Sequence, residues 1–113
     1  MSDGLQLLEQ SKEEGKYALL INQLNKDFLR AGLQENFSAE TKPEMLLRSL
    51  EAALYEQIIS DFEGYLTLLY TIDVSESKIK ALPAMQVHEL TQRVSVLILE
   101  RELLKISFKS KSE

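Results

Sequence analysis

The sequence predicts an all-α fold: a small bundle of four to five helices with one long or kinked central helix. Three observations predict it. Apolar residues recur at steps of three and four through most of the chain. Only two prolines and four glycines interrupt it. The breaks that do occur carry helix start and stop chemistry. With 113 residues, 44% of them hydrophobic and 27% charged, the chain suits one domain, 1–113, with a modest core. No internal repeat or second domain stands out.

Residues 1–15 are acidic and polar, with a small apolar cluster at Leu5, Leu7 and Leu8. Either a short helix or a frayed end fits them, and 109–113 is likewise open to fraying. Gly15 marks a break. From Lys16 to about Ala31, the residues Tyr17, Leu20, Ile21, Leu24, Phe28 and Ala31 share one helical face. Asn22, Gln23, Lys26, Asp27 and Arg30 are assigned to the outer face. Gly32 stands where a helix ends in a left-handed residue, and "QENFSAE" reads as a loop.

Thr41 and Glu44 have capping-box spacing, and Pro43 between them gives up only an amide that no helix uses. Leu46, Leu47, Leu50, Ala53, Leu54 and Ile58 then form a stripe that continues through Phe62, Tyr65, Leu66 and Leu69. Ser60 and Glu63 repeat the capping spacing, and Gly64 weakens the helix. One helix kinked near 60–64 and two helices meeting there both satisfy the pattern.

The stretch "LYTIDVSESKIKAL" ends this helix near Tyr70–Ile72. Asp73 or Ser75 caps a short helix that Pro83 closes. The last helix is predicted from about Ala84 to Ile106, with Val87, Leu90, Val94, Leu97 and Ile98 buried. Val96, Leu99, Leu103 and Ile106 lie off that stripe. A bundle this small has little room to enclose a helix on all sides, so these four are the expected interface of a homodimer or of an unidentified protein partner.

The formal charge of −5, from 18 acids against 13 bases, disfavours nucleic acid, whose phosphates must be neutralised by a basic surface. It disfavours an anionic membrane surface too. The opening residues lack a signal peptide's basic and apolar segments, and Val96–Leu99 is too short to span a bilayer. With no cysteine, disulfides and thiolate metal sites are excluded, which fits a reducing cytosol.

The candidate chemistries fall away one at a time. Asp73, Ser75 and Ser77 alternate like calcium ligands, but Lys78 and Ala84 occupy the places of the required glycine and glutamate. Ser75 and Lys78 make a Ser-x-x-Lys without its companion motifs, so helix capping explains the serine. Gly15-Lys16 is no phosphate loop, because Gln10 stands where the first glycine is needed. Glu51, Glu56, Asp61 and Glu63 read as a solvated helix face, and Tyr17, Tyr55, Tyr65 and Tyr70 as core-edge or interface residues. No metal, cofactor or catalytic residue is expected.

His88, the single histidine, cannot make a typical zinc or di-iron site alone. On a bundle helix it raises the alternative of a histidine phosphotransfer-like domain, although "HELTQ" lacks the lysine and glycine of that context.

The segments "NQLNKDFLRAGL", "DFEGYLTLLYTIDVSESKI" and "LILERELLK" together resemble a group of short uncharacterised proteins of Bacteroidetes-type bacteria, over about residues 20–108. The resemblance implies a bacterial cytosolic protein and implies no activity. The expected function is a non-enzymatic module for protein–protein interaction or self-association.

Overall fold

The computed structural model describes residues 2–111, with side chains for residues 2–109. Six helices and no strand form there: α1 (Asp3–Glu13), α2 (Tyr17–Arg30), α3 (Pro43–Ser60), α4 (Phe62–Ile72), α5 (Glu76–Lys80) and α6 (Val87–Lys111). The count exceeds the expected four to five because α1 is a full helix and the 42–72 segment is two. Residues 112 and 113 of the expected frayed tail lie outside the described residues.

Three helix ends share one chemistry. Gly15, Gly32 and Asp73 take left-handed conformations, with φ of 71°, 85° and 69°. The next amide in each case reaches back five residues: Lys16 to the Ser11 carbonyl at 2.8 Å, Leu33 to Phe28 at 2.9 Å and Val74 to Leu69 at 3.0 Å. These bonds satisfy carbonyls that the helix leaves open. Asp73 is the non-glycine case, and its carboxylate accepts from Arg101 of α6 at 3.0 Å. The residue read from sequence as a possible N-cap of the short helix thus closes α4. Ser75 caps α5, its Oγ accepting the Lys78 amide at 3.4 Å.

Two expected capping boxes do not form. Lys42, not Thr41, precedes the first turn of α3, with an extended backbone (φ −64°, ψ 146°) and no side-chain cap bond. The proline ring at 43 disfavours a helical conformation for the residue before it. The Thr41 carbonyl instead accepts the Tyr17 hydroxyl at 2.6 Å. At the second site Asp61 is the cap and accepts the Gly64 amide at 3.1 Å, while Ser60 donates to Glu56 at 3.0 Å. Asp61 leaves the helical region (φ −151°, ψ 74°), so α3 and α4 are separate helices.

Helix α6 is the longest element and packs against α1, α2, α3 and α4. It, rather than the 42–72 segment, is central. Leu8, Leu20, Leu24, Phe28, Leu46, Leu50, Leu54, Leu68, Ile72, Val94, Ile98 and Leu99 are fully enclosed in the core. The Phe37 ring meets the Phe28 ring edge-on at 5.2 Å, and Asn25 holds the Phe37 backbone through both its amide atoms. The α2–α3 loop is thereby tied down along α2. Among the described residues no helix is long and apolar enough to cross a membrane.

Candidate functional site

Of the four residues expected to form an interface, two are enclosed by the chain itself and two remain half-buried. Leu99 and Ile106 are in the chain's own core, and Leu103 packs against it. Val96 is half-buried and borders a cleft with Ser2, Asp3, Gly4 and Leu5 of the α1 segment. The physical reason is α1. It lies along the second apolar side of α6 and supplies the cover expected there from a partner. Leu103 and Leu7 meet in a second cleft of about 400 Å³.

Two of the residues assigned to the outer face of α2, Gln23 and Asp27, are buried instead. They face the C-terminal half of α6. Asp27 Oδ2 accepts from Lys105 Nζ at 2.7 Å and from Gln23 Nε2 at 3.2 Å. Gln23 Oε1 accepts from Lys109 Nζ at 2.5 Å. Arg30 reaches Asp27 Oδ1 at 3.8 Å from the solvent side. Glu102, fully enclosed, has Oε1 3.5 Å from Lys105 Nζ. One lysine therefore sits between two buried carboxyl groups.

Charge and burial decide the protonation of this cluster. Burial is the largest influence on Glu102 and raises its pKa; a hydrogen bond with Asp27 and repulsion from its charge add to that. Lys105 opposes both, and the net result is a pKa pushed up to about 8. Burial also acts to raise Asp27, but hydrogen bonds with Glu102, Lys105 and Gln23 outweigh it and hold this carboxyl below its ordinary value. As a carboxylate, Glu102 has no hydrogen-bond donor for either oxygen. As a neutral acid it donates to Asp27, whose Oδ1 otherwise has no hydrogen bond. At neutral pH Asp27 is the carboxylate and Glu102 is mostly the neutral acid.

A buried acid held protonated at pH 7 is a feature active sites use. The clefts on α1–α6, at the α1–α3 edge and along α2 are lined by other side chains. The cluster joins α2 to α6. The sequence carried a signal for it, since Glu102 stands four residues after Ile98 and four before Ile106, on the buried stripe.

His88 is exposed in the first turn of α6. The carboxyl of Glu51 in α3 is raised by burial and pulled back by an electrostatic influence of His88. Of the four acids read as a solvated helix face, Glu51 is half-buried and Glu56, Asp61 and Glu63 are exposed. Among the described residues no cluster of three or more metal-ligating side chains occurs. Tyr17 and Tyr65 are core residues, while Tyr55 and Tyr70 face solvent.

The outer surface of α4 is apolar. Phe62, Leu66 and Tyr70, at i, i+4 and i+8, lie on one side of the helix and are 51%, 47% and 85% exposed. Tyr55 and Ile59 near the end of α3 are exposed as well. Burial in water-free contact is the lower free-energy state of such side chains, and a stripe of them on one short helix differs from scattered surface leucines. No protein-family model, no curated protein and no solved structure matches this chain.

Proposed function

We propose that this chain is a non-enzymatic helical interaction module that binds another protein or a copy of itself. The observation that carries this reading is the Phe62, Leu66 and Tyr70 stripe on α4. Phe62 meets the buried Tyr65 ring at 5.4 Å, yet about half or more of each of the three side chains stays in water. A partner surface that buries them would gain roughly 25 cal/mol for each Å² of apolar area removed from water. Aromatic residues at the centre of such a patch are the usual energetic anchors of an interface. The lack of cysteine makes the reducing cytosol the natural setting.

The test is photo-crosslinking from position 66 in the native cell, together with light scattering of the purified chain. The expected result is a discrete adduct, with itself or with one partner, that Tyr70→Ser abolishes while leaving the circular dichroism unchanged. A chain that is monomeric at several hundred micromolar and yields no adduct sensitive to Tyr70→Ser would refute the reading.

A further inference from the structure

The charge of this molecule is unevenly distributed. Residues 49–77, covering most of α3 and all of α4, hold six acids and no lysine, arginine or histidine. That stretch carries −6, and the remaining 84 residues carry +1. Around the α4 stripe, Glu56, Asp61 and Glu63 are exposed and make no ion pair among the described residues. An apolar surface rimmed by unpaired acids repels an identical surface and favours a basic one.

The basic counterpart is on the adjacent helix. α2 packs against α4. Its outward stripe is Leu19, Asn22, Lys26 and Leu29, at steps of three and four. Leu19 and Leu29 are 51% and 73% exposed. Among the described residues Lys26 makes no ion pair, and Arg30, which pairs with Asp27 at 3.8 Å, keeps its side chain 62% exposed. The only acid of α2, Asp27, is buried against α6. Glu35 of the following loop is the one carboxylate lining the groove beside Lys26 and Leu29.

We infer that the outward faces of α2 and α4 form a self-complementary surface on which a second copy of this chain docks, α2 of each copy meeting α4 of the other. A two-fold arrangement uses the same surface twice, so each basic apolar stripe meets an acidic apolar one and both contacts form together. An arrangement setting α4 against α4 would oppose like charges. This inference rests on the interaction reading above and specifies the partner and the register of charges.

Sedimentation velocity from 5 to 500 µM, at 50 and 300 mM salt, tests it. The expected result is a concentration-dependent dimer that weakens at high salt. Leu66→Ser and Leu29→Ser should each weaken it at least tenfold. Glu63→Lys and Lys26→Glu should each weaken it several-fold, and the double variant, which swaps the charges within one chain, should recover most of the loss. Two results overturn the inference while leaving an interaction module standing. One is a dimer indifferent to Leu29→Ser and to both charge reversals. The other is a monomer at 500 µM that still gives a Tyr70-dependent crosslink to a different protein. A monomer with no such crosslink overturns both readings.

Discussion

Replacing Glu102 with glutamine should remove a pH dependence that the buried cluster imposes on stability. Glu102 has an ordinary pKa of 4.5 and a folded-state value of about 8. Between those values the folded chain keeps the proton and the unfolded chain has lost it. Raising the pH therefore favours unfolding. The contribution is fully present below about pH 4.5 and is lost as pH rises to about 8. Each pH unit across that window changes stability by up to about 1.4 kcal/mol, which amounts to on the order of 3 kcal/mol between pH 5 and pH 7. Asp27 acts in the opposite sense. Its folded pKa lies below the ordinary 3.8, so its contribution is present above that value and is lost in acid.

Glutamine keeps the shape of the neutral acid and can donate to Asp27, but it does not titrate. The assay is urea unfolding followed by far-ultraviolet circular dichroism at pH 5, 6, 7 and 8, since the chain has no tryptophan to report by fluorescence. The variant's stability relative to wild type should rise by on the order of 3 kcal/mol from pH 5 to pH 7. Curves that stay parallel within about half a kcal/mol would show that Glu102 titrates normally, and the reasoning from burial and the Asp27 charge would fail.

Other expectations follow from the packing and the helix ends. Leu50 is fully buried beneath α6, so Leu50→Ala should cost about 2–5 kcal/mol in the same unfolding assay, and a loss under about half a kcal/mol would contradict its place in the core. Gly32→Ala meets no atom within 4 Å, so its cost should be the backbone strain of φ 85° alone, about 1–2 kcal/mol by thermal or urea unfolding. Gly15→Ala, at φ 71° and equally open, should cost a similar amount. His88→Gln at an exposed site should leave stability within about 0.5 kcal/mol, and incubation with histidine kinases should place no acid-labile phosphate on the wild-type chain; labelling that His88→Gln abolishes would instead establish the phosphotransfer reading.

Much of the architecture was legible in the pattern of residues, because helix ends and apolar faces are local properties. Tyr17, Leu20, Ile21, Leu24 and Phe28 follow the 3.6-residue period, and all are buried. Gly15 and Gly32 end their helices where left-handed residues are needed. The interruption near 60–64 was visible in Ser60, Glu63 and Gly64, but the choice of Asp61 as cap was not. It turned on Asp61 swinging out of the helix to meet the Gly64 amide, a geometry that neighbouring candidates in sequence do not reveal.

What surrounds each helix was a different matter. Apolar residues around most of α6 state only that something covers them. The tertiary fold decided that α1 does so, and that Leu99 and Ile106 belong to the monomer's core. Asp27 and Glu102 are 75 positions apart in the chain, so no local pattern could show that they share a proton. Helical periodicity determines which side chains lie on one face, because that depends on neighbours three and four residues away. Which face meets which, and whether an acid stays ionised there, depends on residues brought together only by folding, through the loss of water around them.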